Sequence, residues 1–356
     1  MRVLVTGAAG FIGSAVTAAL RAGGHDVIGL DAFIPQAHGD ERPTDSELSC
    51  IDVRDGPSIE LLLPGIDVVC HQAAMVGAGV TAADLPRFAA HNVLGTASLL
   101  AAMAAQRVGR LVLASSMVVY GDGRYACPDH GDQAATTRSV ESLRTGRFDV
   151  GCPRCAKPMG WRAVDESAVL SPRSGYAASK VAQEHFVAAW ARQTGGTAIA
   201  LRYHNVYGPG MPADTPYSGV AALFRSALER GEAPRVFEDG AQMRDFVHVH
   251  DVAAANVVAV GAVTARPRGS VSAYNVCSGS PISIADVALL VGHGVEGPPV
   301  EAQVTGEFRL GDVRHVVASP ARAARELGFD AVVEPAAGLR RFAREPLRHR
   351  GPPTSP

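Results

Sequence analysis

Tyr176 and Lys180 stand four residues apart in the run YAASK, and on a helix that spacing puts both on one face, with the ammonium beside the phenol. A free phenol titrates near 10, so a useful base near neutral pH needs its pKa lowered by about 3 units, or about 4 kcal/mol. A neighbouring fixed cation is one source of that shift. Lys180 is conspicuous because Lys157 is the only other lysine; the remaining basic side chains are arginines. The pair points to a general base held in an electrostatic field.

A second constellation lies upstream. Cys127 and His130 form a CxxH knuckle, and Cys152 and Cys155 a CxxC knuckle. Two such knuckles separated by a loop offer Zn²⁺ four tetrahedral nitrogen and sulfur ligands. A full protein ligand set leaves no position for a reacting water, so the metal is expected to hold a fold and take no part in chemistry. The stretch is poor in apolar residues, and a metal is expected to substitute for its core. Two alternatives are a polar loop whose cysteines are merely small, and a redox CxxC, which lacks its usual strand-to-helix setting here. Cys50, Cys70 and Cys277 sit in strand-like apolar runs and are expected in the core.

These side chains need a frame. The runs RVLVTG, DVIGLD, LSCIDV, IDVVCHQAA, RLVLASS and TAIALRY read as strands. Between them FIGSAVTAALRAGG, NVLGTASLLAAMAAQRVG and SGYAASKVAQEHFVAAWARQTG read as helices. This alternation predicts an α/β fold, a Rossmann-type doubly wound parallel sheet covered on both faces. In VLVTGAAGFIG, Gly7, Gly10 and Gly13 separate the first strand from the first helix, so backbone N–H groups at the helix N-terminus can face a pyrophosphate. Asp31 closes the second strand, where a carboxylate accepts from adenosine ribose hydroxyls and repels a 2′-phosphate, favouring NAD over NADP. Asp52, with Val53, follows the third strand and is expected against the adenine.

After Asn205 the rhythm breaks into Gly/Pro-rich loops and further helices. The expected organisation is a dinucleotide-binding domain over 1–204 carrying an insertion at 122–168, a smaller, mainly substrate-binding lobe over 205–343, and a Pro-rich disordered tail over 344–356. A chain of 356 residues with net charge −2 can bury a full core and carries no general electrostatic footprint for nucleic acid. The first residues enter a strand without a secretory leader, and no run of membrane-span length is expected. The chain therefore reads as cytoplasmic, where thiols stay reduced and paired cysteines turn toward metal rather than disulfides.

With the strand-end serines of LASSMVVYG, the glycine loop and YAASK make the chain closely resemble the extended short-chain dehydrogenase/reductase superfamily. The likeness is greatest to its NAD-dependent nucleotide-sugar epimerases and dehydratases, and it runs to about residue 343. It implies that Tyr176 is the general base, Lys180 its electrostatic partner and a cofactor-ribose contact, and Ser116 a hydrogen-bond partner of the reacting hydroxyl. Asn92 in HNVLGT matches a structural asparagine near the active site, and Phe11, Ile12, Ala73, Ala74 and Tyr203 join the cofactor contacts. RYHNVYGPG resembles RYFNVYGP, which assigns Asn205 to the sugar or diphosphate and puts His204 where Phe is usual. GAQMRDFVHVHDVA offers Arg244 for the diphosphate, and EFRLGDVRH offers Arg309 for the diphosphate and Asp312 for the nucleoside ribose. Most relatives have a short loop between the serine and tyrosine segments, so the cysteine-bearing stretch is an insertion between them. Pairing as a homodimer is implied as well.

The 4,6-dehydratases of this superfamily carry acidic residues directly after the active-site Ser/Thr, and here those positions are Met117 and Val118. The expected reaction is therefore C4 epimerisation of a nucleotide-diphosphate sugar through a transient 4-keto sugar, with tightly bound NAD taking and returning hydride. Net dehydrogenation, reduction or decarboxylation of a nucleotide sugar is the alternative within the superfamily. A non-catalytic dinucleotide sensor is the alternative outside enzymology, although such proteins often lose the Tyr or Lys.

Overall fold

The computed structural model describes residues 1–38, 48–77, 81–213, 219–297 and 300–348. Seven parallel strands form one sheet, in the order Val271–Val276, Thr197–Tyr203, Arg110–Ser116, Val68–His71, Arg2–Thr6, Asp26–Asp31, Leu48–Cys50. Period-two side chains feed two apolar layers. Val3 and Val5 pack with Val16 and Leu20 on one face, while Leu4 joins Leu99, Met103 and Trp190 on the other.

The chain builds outward from Arg2–Thr6 to Leu48–Cys50, then crosses back to Val68–His71 and builds the other way. Strand order reverses between Arg2–Thr6 and Val68–His71, and their carboxyl ends bound the crevice where such sheets take ligands. Gly7 follows the first strand at φ +68°, and a Cβ there would lie 2.7 Å from the backbone N and Cα of Ala73 across the crevice. At Gly13 a Cβ would stand 1.9 Å from the carbonyl oxygen of Gly7, so this glycine lets the helix Phe11–Ala22 start against the turn.

The structure corrects four expectations. Strand Val271–Val276 and helix Val249–Ala262, both within 205–343, belong to the sheet domain: the strand pairs with Thr197–Tyr203 and the helix packs on Phe11–Ala22. The remaining lobe packs helices Val220–Glu229, Ile284–Gly294 and Pro335–Phe342 around Phe224, Val291, Leu339 and Phe342. Residues 344–348 are not a loose tail, because the Arg344 Nε donates to Gly294 O at 2.7 Å, Gly210 N donates to Pro346 O at 2.8 Å and Leu347 is buried. The rest of the expected tail, 349–356, lies outside the described residues.

Cys50 is exposed, at the end of the short edge strand, whereas Cys70 and Cys277 are buried. One run, Ala82–Ala105, is long and apolar enough to cross a membrane by length and composition. In this fold its Leu99, Leu100 and Met103 lie in the core while Leu85 and Leu94 are exposed, and its middle is a π-turn, Ala89–Leu94, holding the buried polar Asn92.

Candidate active site

Ser116 ends strand Arg110–Ser116 and caps the 3₁₀ turn Met117–Tyr120. The helix Gly175–Thr194 crosses behind it, started by Ser174, whose Oγ accepts from Ala177 N at 3.1 Å, and ended by Gly195 at φ +72°. Its first turns bring the half-buried Tyr176 to Ser116, whose hydrogen bond favours the phenolate, but burial dominates and pushes the phenol up to about 12. The buried Lys180 Nζ donates to Ala114 O at 2.8 Å, and burial lowers its pKa to about 7 against the opposing pull of Glu184. This tyrosine is thus a poor base until further positive charge reaches it.

A buried network holds the helix in place. Arg202 Nε and Nη2 donate to Glu184 Oε1 and Oε2 at 3.0 and 2.8 Å, Ser115 Oγ donates to Glu184 Oε1 at 2.5 Å, and Arg202 Nη1 donates to Tyr120 Oη at 2.9 Å. Glu184 and Arg202 were not anticipated from the sequence, yet Glu184 repeats the four-residue interval of Tyr176 and Lys180, so a signal was present. On the other side Asn92 uses both ends of its amide. Its Oδ1 accepts from Met75 N at 2.7 Å, while its Nδ2 donates to Ser179 Oγ at 2.8 Å, and that hydroxyl donates to Tyr176 O at 2.7 Å. The π-turn is what aims Asn92 at the helix.

The dinucleotide crevice collects most of the expected cofactor residues. Asp31 accepts from Ala9 N at 3.1 Å and Phe33 N at 2.9 Å, with His38 Nε2 3.3 Å away. Two carboxylate oxygens have about four lone-pair sites, so capacity remains for a ribose. Ala73 N donates to Thr6 Oγ1 at 3.2 Å, with Ala74 next to it. Gly10, Phe11 and Ile12 open the first helix, Phe11 leaning on the lobe's apolar cluster and Ile12 on the sheet's.

Two of the expected residues are otherwise engaged. Asp52 holds Arg54 through two bonds of 3.0 and 2.6 Å, beside the buried Val53. The Tyr203 phenol is buried, reaching Gln72 Oε1 at 3.1 Å and Asn256 Oδ1 at 3.0 Å.

Tyr203 is paired in register with Ser116, so the next residues, His204 and Asn205, lead from the serine toward the lobe. Asn205 lines a cavity of about 450 Å³, together with Phe237, Glu238, Gln242, Arg244, Arg309 and Asp312. Arg244 donates to the carbonyls of Val313 (2.6 Å) and Arg314 (2.9 Å), and Arg309 lies over the Phe237 ring at 5.0 Å. Among the described residues neither arginine has a carboxylate within salt-bridge distance. Buried Asn205 Oδ1 and Gln242 Oε1 also lack a partner there. Two guanidinium groups in one cavity, neither in direct contact with a carboxylate although Asp312 lies near both, suit an anionic ligand. His204 is buried with neither ring nitrogen bonded among the described residues, and burial lowers its pKa to about 3.

The model of the NAD dependent epimerase/dehydratase family matches residues 3–143 and 156–277. The chain belongs to this family. It is 34% identical over 338 residues to dTDP-L-rhamnose 4-epimerase of Burkholderia thailandensis, covering 92% of this chain and 90% of that one. It is 31% identical to UDP-glucose 4-epimerase of Mycolicibacterium smegmatis, covering 95% and 96%. The crystal structure of Thermus thermophilus UDP-glucose 4-epimerase in complex with NAD superposes with a TM-score of 0.75 at 28% identity, covering 96% and 98%.

This epimerase/dehydratase departs from its family model at 144–155, inside the insertion. The insertion forms a three-stranded antiparallel sheet, with Arg124–Cys127 between Gly131–Gln133 and Gly160–Arg162. It has a small core of its own, which corrects the expectation of none: Tyr125, Val150 and Met159 pack with Cys127 and Cys152. The ligand atoms of Cys127, His130, Cys152 and Cys155 all lie within 4.8 Å of one another. Arg154 N donates to Cys152 Sγ at 3.4 Å, and Ala156 closes the knuckle at φ +61° with its N–H on Cys152 O at 2.8 Å.

Proposed function

We propose that this enzyme is an NAD-dependent 4-epimerase of a nucleotide-diphosphate sugar. The observation that carries the reading is the pairing of Ser116 with Tyr176 at the crevice where neither following residue, Met117 nor Val118, can protonate or deprotonate a neighbouring carbon. Relatives named as 4-epimerases of dTDP-L-rhamnose and UDP-glucose support attack at C4. The glycine loop fits a dinucleotide, since the missing Cβ atoms at positions 7 and 13 let strand, turn and helix N-terminus close on one another and leave backbone N–H groups to face the crevice, and Asp31 keeps acceptor capacity for a ribose. NAD, when bound, supplies the hydride acceptor and returns the hydride.

The chain's own residues do the rest. Ser116 orients the sugar hydroxyl, and Tyr176 takes its proton and later gives it back. Lys180 supplies positive charge, and Asn205, Arg244 and Arg309 hold the nucleotide-diphosphate end while the keto sugar turns. Incubating the enzyme with UDP- and dTDP-hexoses and following products by NMR tests this. A C4 epimer without net NADH is expected; accumulation of one NADH per sugar, or loss of water, overturns it.

The four-ligand cluster supports a structural Zn²⁺. Zn–S bonds of about 2.3 Å and Zn–N bonds of about 2.05 Å in a tetrahedron require S···S edges of about 3.8 Å and S···N edges of about 3.6 Å. Three of the six edges meet this: the Cys127–Cys155 sulfurs are 3.7 Å apart, and the His130 Nδ1 is 3.5 Å from Cys127 Sγ and 3.6 Å from Cys152 Sγ, while the other three lie within 4.8 Å. About one zinc per chain, lost in Cys152→Ser, is the expected metal analysis; a metal-free wild-type protein would refute the centre.

A further inference from the structure

The insertion sends one of its own buried side chains to the wall of the nucleotide-sugar cavity. Residues 136–138 run alongside 148–151, with Thr136 Oγ1 donating to Gly151 O at 3.0 Å and Arg138 Nη1 to Phe148 O at 3.0 Å. That second stretch ends at Cys152, a member of the four-ligand cluster. Arg138 then leaves the insertion altogether: its Nη1 donates to Glu238 Oε1 at 2.7 Å and its Nη2 to Asp312 O at 2.6 Å. Glu238 and Asp312 both line the cavity.

The contact is enclosed and charged. The side chains of Arg138 and Glu238 are 8% and 3% exposed, and Arg314, at 1%, donates to the other Glu238 oxygen at 2.9 Å and to Asp149 of the insertion at 3.1 Å. Glu238 is itself held at φ +55°, a conformation a non-glycine residue keeps only when its surroundings fix it. Its carboxylate faces a cavity suited to a dianion, where an unneutralised negative charge would repel the ligand. The loop from Arg309 to Asp312 is held at the same point through the Asp312 carbonyl.

We propose that Arg138 is a positioning residue through which the metal-clamped insertion completes the nucleotide-diphosphate site, neutralising Glu238 and fixing the Arg309–Asp312 loop. This rests on the reading of the cavity and of the metal centre given above. The insertion is then part of the substrate site. Removal of the metal frees the 148–152 stretch and with it Arg138, so affinity for the nucleotide falls while the dinucleotide crevice, built from other strands, is untouched.

The test uses the NAD-loaded full-length enzyme, with UDP and dTDP as probes in titration calorimetry and substrate kinetics alongside. Arg138→Ala is expected to weaken binding of the preferred nucleotide and raise KM at least tenfold, with kcat changed less than threefold and zinc content and NAD affinity unchanged. Arg138→Lys, which keeps the charge but loses the two-point grip, should recover part of the loss. Adding Glu238→Gln to Arg138→Ala should recover part as well, by removing a buried carboxylate left with Arg314 alone, which Asp239 and Asp149 also share. Stripping zinc with a chelator should reproduce the Arg138→Ala loss, and restoring zinc should reverse it. Wild-type nucleotide affinity in Arg138→Ala, or equal losses of nucleotide and NAD affinity, overturns the proposal. Unchanged nucleotide affinity after zinc removal overturns its metal link. A wild-type enzyme that binds neither UDP nor dTDP refutes the reading of the cavity itself, a result distinct from failure of the Arg138 variant.

Discussion

The titration of Tyr176 offers the sharpest check on the chemistry. Burial holds this phenol at about 12 in the cofactor-free protein, and Lys180, lowered to about 7, is neutral over the range in which that phenol would ionise. Bringing the phenol from there to about 8 requires roughly 4 pKa units, or about 5.5 kcal/mol. One unit cation at about 4 Å, in an effective dielectric of about 20, supplies about 4 kcal/mol, or about 3 units. A single charge therefore falls short, and two suffice.

The experiment adds charges one at a time. NAD⁺ brings a cationic ring, and its arrival beside Tyr176 favours the phenolate and lets Lys180 stay protonated against it. Ultraviolet difference titration of the phenolate band, with Tyr176→Phe as the blank, should place the tyrosine near 12 without cofactor. With NAD⁺ it should fall to about 8 or below in the wild type, but only to about 9 in Lys180→Met. The alkaline shift of the rate profile in Lys180→Met should follow the same difference. A phenol that stays near 12 with NAD⁺ bound, or one that Lys180→Met leaves unmoved, refutes the two-charge account.

Three further outcomes are expected. Glu184→Gln breaks the buried two-bond pair with Arg202 and should cost about 3–5 kcal/mol in denaturant unfolding, and a loss under 1 kcal/mol would show the pair to be dispensable. Asp31→Ser removes a charged acceptor at the second strand's end and should weaken NAD about 10- to 100-fold by fluorescence titration, narrowing its preference over NADP; equal losses for both would refute the ribose assignment. Ala156→Gly relieves a left-handed alanine at the knuckle and should stabilise the zinc-loaded protein by about 1 kcal/mol, which a destabilised variant would contradict.

What the sequence made legible is governed by local rules. Gly7, Gly10 and Gly13 announce a tight approach between strand and helix, and the fold supplies it as the near contact with Ala73. Tyr176 and Lys180 share a helical face by spacing alone, and the two knuckles meet because each is a preformed turn. The misses are long-range. VSAYNV is not among the runs read as strands, yet it pairs with Thr197–Tyr203, and its polar Asn275 is buried, accepting from the Tyr120 hydroxyl at 2.6 Å. Arg138 carries no pattern at all, and its importance comes from carbonyl and carboxylate partners 100 and 174 positions away. Leu347 is one apolar residue in a Pro/Arg-rich tail, and only the lobe's core explains its burial.

The order in which the sheet is completed has a consequence for synthesis of this protein. Strand Thr197–Tyr203 has all seven residues buried, and its outer neighbour, Val271–Val276, comes about 70 positions later in the chain. A nascent chain that has emerged only to residue 204 therefore presents an apolar strand with one row of peptide groups unpaired, the geometry that recruits other strands. A fragment ending there should aggregate more readily than one extended through residue 276, in which the fully buried strand is paired on both sides and the edge passes to the less buried Val271–Val276. Emergence of Val271–Val276 from the ribosome is thus the step that pairs this strand on both sides.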